Sequence, residues 1–398
     1  MKTDTLHTLL FDARTASDAY PGINRYIRSL LAAMLPELCP DERLHVILPP
    51  NNEISGLRDD PRVTAYPTDS PANTLKSHLQ ALRLERAVRA QIVHAPYILT
   101  PVRVPGKMVL TVHDVIPLSH PQYSTPLTRL FWRFTGRRVL WHSRKIIGVS
   151  EDALKACERH FGSHASRRSV VIHHGISDAF RPQPEEAIAQ LRADYGLPDR
   201  FLLYVGSDQP HKNVSTLLHA LALMDPTASA PLAIAGFDPE DSPLRREAEQ
   251  LRLYGRVLWL GKVPDSRLPA LYSAAHAFLF PSLAEGFGFP VLEAMACGAP
   301  VICSALGVLK EITAGAAKLV HPTDRQEWKR ALHAALVSLD WHDVYRAKGL
   351  ARAQHFSWPA AARATLDVYR SLYPRQNTRG PPGPQKMDLS HLGVAAQA

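Results

Sequence analysis

At 398 residues, 45% hydrophobic and 21% charged, the chain has the size and balance of a soluble protein of two or three domains. Its most apolar stretch, residues 268–280, is shorter than a membrane span and carries Tyr272, Ser273 and His276. The net charge of +9 suits an anionic or phosphorylated partner, but no RNP aromatics, zinc knuckle or long Lys/Arg run points to nucleic acid.

Near the start, LHTLLF is too short for a secretory signal and runs into Asp12 and Arg14, so a cytosolic protein is expected. The run 7–13 is apolar throughout, the pattern of a strand buried on both faces of a parallel sheet. Further runs of this kind stand at 44–50, 92–96, 107–114, 145–150 and 169–175, with helical patterns such as 24–35 between them. This βαβ rhythm predicts a doubly wound parallel sheet. A proline-rich hinge, RPQPEE (181–186), interrupts it, and it restarts with runs at 201–206, 232–236, 257–261, 277–282 and 300–304. The fold class is therefore α/β, with two similar-sized Rossmann-like domains, residues 1–182 and 183–355, facing one another across a cleft. Residues 356–374 read as a last helix, crossing back to the first domain, and 375–398, rich in Pro, Gly and Gln, as a disordered tail. Four scattered cysteines (Cys39, Cys157, Cys297, Cys303) form no C-x-x-C pair, which argues for reduced, buried thiols.

Residues 125–145 carry two patterns at once. Leu127, Leu130, Phe131, Phe134 and Trp141 share one helical face, and Arg129, Arg133 and Arg137 recur at four-residue steps on another. Either the apolar face is core and the arginines are solvated, or the segment rests on an anionic membrane surface.

The most informative stretch is PSLAEGFGFPVLEAMACGAP (281–300), with Glu285 and Glu293 flanking a glycine-rich turn. The turn follows a strand, Pro290 suits the first helical position, and Gly298 suits a left-handed stop. Glu293 then falls on the first helical turn, and the N–H groups of Gly286, Phe287, Gly288 and Phe289 point outward at the positive end of the helix dipole. Such a turn attracts an anion or a row of hydroxyls. Dipole complementation alone would explain one glutamate there. It does not explain two acids and two glycines without an ordinary capping residue.

This stretch resembles the E-x7-E signature of the retaining glycosyltransferases of family 4, which have the GT-B fold. The similarity extends over about residues 8–374 through five further motifs: FDARTASDAYPGINRYIRSLL (11–31), TVHDVIPLSHP (111–121), IIGVSEDALKACERHFG (146–162), VVIHHGISDAFRP (170–182) and YVGSDQPHKNVSTLLHAL (204–221). It implies a nucleotide-diphosphate sugar as donor, held mainly by the second domain. Glu293 would take the ribose hydroxyls, and Glu285 the transferred sugar, beside the N–H groups of Gly286–Phe289. Lys212, six residues after Gly206 in its motif, would neutralise the departing diphosphate. Gly22 would approach the phosphates from the first domain, and His113 would contact a sugar hydroxyl. Ser150, at a strand-to-helix junction, is as well placed for a helix cap as for a ligand. His94 and Tyr97 are acceptor-side candidates. Many members carry an arginine after the motif glycine. Here Ser207 stands there, so His211 or Arg25 is left to supply a second cation. No D-x-D occurs, and neither a cofactor nor a metal is expected. The resemblance further implies transfer with retention to a glycan or polyprenyl-linked acceptor, with a lean towards mannosyltransferases of surface polysaccharide synthesis, UDP-sugar donors staying open. Competing readings are a glycoside hydrolase pair, which gives Lys212 no role, a GT-B nucleotide-sugar epimerase, and a non-catalytic nucleotide-sugar-binding protein.

Overall fold

The computed structural model describes residues 6–17, 20–50, 54–68, 75–98, 106–163 and 166–373; the proposed tail at 375–398 lies outside them. Seven strands build the first sheet: β1 (His7–Asp12), β2 (Glu42–Leu48), β3 (Val63–Pro67), β4 (Ile92–Ala95), β5 (Lys107–Val112), β6 (Lys145–Gly148) and β7 (Ser169–Val171). Six build the second: β8 (Leu202–Val205), β9 (Leu232–Ala235), β10 (Val257–Gly261), β11 (Ala277–Phe280), β12 (Val301–Ser304) and β13 (Lys318–Val320). The orders are β3-β2-β1-β4-β5-β6-β7 and β10-β9-β8-β11-β12-β13, parallel throughout. The expected pair of doubly wound sheets is therefore present. The sequence reading omits β3 and β13. Both are edge strands, and β3 is half-exposed along its length, so neither forms a continuous apolar run.

The strand order of each sheet reverses once, between β1 and β4 and between β8 and β11. Loops diverge at such a point and leave a crevice at the strands' carboxyl ends. The hinge is shorter than read: Glu185 and Glu186 already form the first turn of the helix Glu185–Tyr195. The last helix, Trp358–Arg370, returns to the first domain. Its Trp358, Ala361, Ala362, Leu366 and Tyr369 join the core formed by Leu9, Phe11, Ile27 and Leu30.

Direct bonds close the seam between the domains. Ser150 Oγ donates to the Gly286 carbonyl at 3.1 Å. The Glu311 carboxylate accepts from Glu151 N at 2.9 Å and Asp152 N at 3.3 Å, and bonds His173 Nε2 at 2.7 Å. Phe289 packs against the cores of both domains.

Candidate active site

Both loops at the second switch point carry a motif. After β8, the Tyr204 hydroxyl donates to the Ser207 carbonyl at 2.7 Å, and the chain turns through the short 3₁₀ segment Pro210–Lys212. Asn213 follows in the left-handed region (φ 56°). Its side-chain amide donates to the carbonyls of Pro281 (2.9 Å) and Pro322 (2.8 Å). Leu283 N donates to the His211 carbonyl at 2.7 Å, so the loops after β8 and β11 are tied together. Lys212 Nζ thereby lies 2.7 Å from Glu285 Oε1, with both side chains mostly buried.

Two glycines shape the loop after β11. A Cβ on Gly286 would stand 2.3 Å from the His113 carbonyl oxygen, so only glycine lets the first domain approach this closely. Gly288 caps the next helix at φ 101°, a conformation few other residues adopt. That cap lets Phe289 take the first helical position, with Pro290 second. Glu293 is consequently the fifth residue of the helix Phe289–Ala296, one turn in, and not on its first turn as the sequence suggested. The backbone N–H groups of Gly286 to Phe289 meet no acceptor among the described residues. Glu293 is only 2% exposed. Tyr272 donates its hydroxyl to Oε2 at 3.1 Å, and Arg25, reaching across from the first domain, donates to Oε1.

A cleft of about 580 Å³ separates the domains. Of the residues read as site candidates, Gly22, His113, Gly206, Lys212, Glu285, Gly286, Phe287, Gly288, Phe289 and Glu293 all line it. Three candidates do not. Ser150 caps the helix Glu151–Phe161, accepting from Ala153 N at 3.0 Å while it bonds Gly286. His94 is a correction: it is buried inside β4, with Nε2 2.7 Å from Thr111 Oγ1 and Nδ1 bonded to the Tyr369 hydroxyl. Mid-strand, it faces the layer covered by the last helix, and neither ring nitrogen is left for a ligand. Tyr97 is also set back from the cleft, against Tyr20 and Trp132. Of the two substitute cations, Arg25 lines the cleft and His211, beside Tyr123, does not.

His113 has a defined chemical state. Burial pushes its pKa down to about 4, partly offset by the bond to the Pro96 carbonyl, so the ring is neutral near pH 7. A carbonyl partner requires an N–H on that side. Nε2, buried with no partner among the described residues, is therefore the unprotonated nitrogen and can accept a hydroxyl hydrogen. Next to it, Asp114 is held above the usual carboxylate range by burial and by the nearby charge of Glu285. His174 forms the cleft floor, stacked on Phe289 at 4.9 Å, and burial holds it well below the usual imidazole range.

The sequence reading missed Asp114, His174, Tyr272 and Asp265 as lining residues. Asp114 follows the histidine of its own motif and was legible there. His174 lies in the motif at 170–182 and was legible in the same way, whereas Tyr272 and Asp265 come from segments whose only local signal is a helix or a loop. Taken together, the cleft offers the mostly buried carboxylates of Glu285 and Glu293, the cations Arg25, Lys212 and Lys262, unpaired N–H groups, and the unpartnered ring nitrogens of His113 and His174. That set suits a ligand with both hydroxyls and negative charge.

Comparison with known proteins agrees with this chemistry. Residues 21–180 match the model described as Glycosyltransferase Family 4, and residues 188–339 match the model described as Glycosyl transferases group 1. O-antigen chain mannosyltransferase B of Escherichia coli is 31% identical over 290 residues, 72% of this chain and 76% of that one. The serotype-specific mannosyltransferase WbdA of Escherichia coli is 29% identical over 279 residues, 68% of this chain; the match spans only about a third of the relative, 34%. Sucrose-phosphate synthase from Thermosynechococcus elongatus superposes with a TM-score of 0.74 at 24% identity, covering 92% of this chain and 99% of that structure. Motifs, paired sheets and relatives converge: the chain is a glycosyltransferase of family 4, with the GT-B fold.

Proposed function

We propose that the chain transfers a hexose, mannose from GDP-mannose, to a glycan acceptor with retention at the anomeric carbon and without a metal ion. The observation that carries this is the placement of Lys212, Glu285 and Glu293 on one cleft wall beside the open N–H groups of Gly286–Phe289. Glu293 takes the ribose hydroxyls, Glu285 a hydroxyl of the sugar, and Lys212 with the helix N-terminus the diphosphate. His113 Nε2 accepts a sugar hydroxyl. The bond from the anomeric carbon to the phosphate oxygen breaks as the acceptor oxygen attacks from the same face. The departing phosphate oxygen takes the acceptor's proton, so the protein supplies position and charge. A groove of about 130 Å³ joins the cleft at Asp114 and Glu285 and is lined by Ser119, His120, Asp152 and Arg159; it is the entry we assign to the acceptor. The mannosyl choice rests on the relatives' names.

The test is a thermal-shift panel with GDP, UDP, ADP and dTDP, with and without EDTA. Stabilisation by GDP, unchanged by EDTA, is expected. A shift with UDP alone would reassign the donor, and no shift with any of them would remove the diphosphate site.

The helix Pro126–His142 supports a lipid-linked acceptor. It buries Trp132, Gly136, Val139 and Leu140, and not the stripe that the sequence offered as core. Leu127, Leu130, Phe131, Phe134 and Trp141 stand between 49% and 76% exposed, beside the exposed Arg133, Arg137 and Arg138. Large exposed apolar patches of this kind are uncommon on monomers, and a basic rim suits anionic headgroups. No helix among the described residues is long and apolar enough to cross a membrane. Sedimentation with phosphatidylglycerol vesicles is expected at low salt. Phe131→Asp/Phe134→Asp is expected to weaken it at least tenfold, at about 1.5–3 kcal/mol per buried aromatic. Equal sedimentation of wild type and variant would reject the membrane face.

A further inference from the structure

Arg25 occupies an unusual place. It lies on the helix Pro21–Met34 of the first domain, three residues after Gly22, yet its guanidinium bonds the buried carboxylate of Glu293 in the second. Its other terminal nitrogen is 3.5 Å from Asp265 Oδ2, and the guanidinium sits 5.9 Å from the ring centres of both Phe180 and Phe289. With Tyr272 on Oε2 and Arg25 on Oε1, both Glu293 oxygens already have a partner. Each oxygen can accept a second bond, but Glu293 is only 2% exposed, so a ribose that is to reach it must move one of the groups that cover it. Tyr272 is fully buried and fixed in the core, whereas the Arg25 side chain is 31% exposed on a flexible stem.

We infer that Arg25 is a donor-binding residue with two positions: it holds the ribose seat on Glu293 while the cleft is empty, and turns to the diphosphate when the donor enters. This rests on the reading that Glu293 binds the ribose. Three observations carry it. First, a carboxylate this buried cannot be left uncompensated without a large cost, and Arg25 supplies the charge until hydroxyl donors replace it. Second, the diphosphate needs more positive charge than Lys212 alone provides, and the other lysine on the cleft, Lys262, is exposed and follows the edge strand β10, two strands from β8. Ser207 is neutral where a second cation would help, and Lys212 is already paired with Glu285. Third, Arg25 and Gly22 line the same cleft from one helix end, within about one helical turn of each other. An arginine stem spans that distance, and its fork matches phosphate oxygens in bidentate fashion. The exposed Asp265 gives the guanidinium a second anchor near Glu293, which holds it on the ribose side while no phosphate competes.

The two positions predict opposite effects on a nucleoside and on its diphosphate. Isothermal titration of the full chain with guanosine and with GDP reads both. Arg25→Ala is expected to bind guanosine about three- to tenfold more tightly, because nothing has to be displaced from Glu293, and GDP about tenfold more weakly, because a charge-assisted phosphate contact is lost. The ratio of the two dissociation constants should then fall at least thirtyfold. Arg25→Gln, which keeps a shorter, uncharged hydrogen-bonding side chain, serves if the alanine variant does not fold; it should lower the same ratio. Guanosine affinity that is unchanged or weaker in the variants would overturn the occupied ribose seat. A constant ratio would overturn the phosphate position. Wild type binding neither ligand, nor the uridine pair, would remove the donor reading itself, an outcome visible without any variant.

Discussion

Lys212→Ala is expected to lower kcat about a thousandfold while the protein stays folded, the usual scale for removing one preorganised charge-stabilising group. The lysine ends a short turn whose shape depends on Asn213 and on the backbone bond from Leu283 N to the His211 carbonyl. None of these bonds involves the lysine side chain, so the loop keeps its course. The cost to stability comes from Glu285, which loses its partner at 2.7 Å and sits near Asp114. An unpaired, mostly buried carboxylate costs about 1–3 kcal/mol, so the thermal midpoint should fall by only a few degrees. Steady-state transfer of mannose from GDP-mannose, with circular dichroism as the folding control, checks both parts. A folded variant with near-normal kcat would remove Lys212 from the site. A variant that unfolds would make the lysine a structural residue.

Two glycines of the same cleft should respond in opposite ways. In Gly286→Ala the new methyl would meet the His113 carbonyl oxygen at 2.3 Å. That atom is backbone of the other domain and cannot rotate away. The seam must open, taking with it the bond from Ser150 Oγ to the Gly286 carbonyl. Overpacking of this kind costs about 1–3 kcal/mol, and a shift of His113 against Glu285 should lower kcat about a hundredfold. At Gly22 a Cβ would meet nothing within 4 Å, and the residue lies in a helix where alanine is favoured. Gly22→Ala should therefore keep or slightly raise the thermal midpoint, while KM for the donor rises as the methyl fills space in the cleft. Equal loss of stability in both variants would contradict the packing assigned to them.

Much of this molecule is legible locally. The continuous apolar runs at 7–13, 107–114, 201–206 and 277–282 mark buried parallel strands, because a strand covered on both faces has no polar side to show. The two strands that escaped, β3 and β13, are at sheet edges, where that condition lapses. The motif loops were legible for a related reason. Gly206, Lys212, Glu285 and Glu293 lie at the carboxyl ends of strands or just beyond them, and strand ends at a switch point are where a doubly wound sheet opens to a ligand.

Other residues were undecided until the chain folded. His94 and His113 both belong to apolar strand segments, and nothing local separates them. β4 ends at Ala95, so His94 is held inside the sheet under the last helix, whereas β5 ends at Val112 and releases His113 into the cleft. The helix Pro126–His142 offers two apolar stripes, and its sequence favours the larger. The fold buries the other, since Gly136 on that side lets the helix pack closely against Phe161.

The sequence alone determined the α/β class, the two-sheet division and the residues of the second-domain motifs, because each depends on short-range pattern. Only the tertiary structure decided that Arg25 meets Glu293, that Gly286 must yield to the His113 backbone, and that an apolar helix face stays exposed. The first two depend on how two separately wound sheets meet and the third on how one helix packs within the first domain, and contacts between distant segments leave no periodic trace in a single chain.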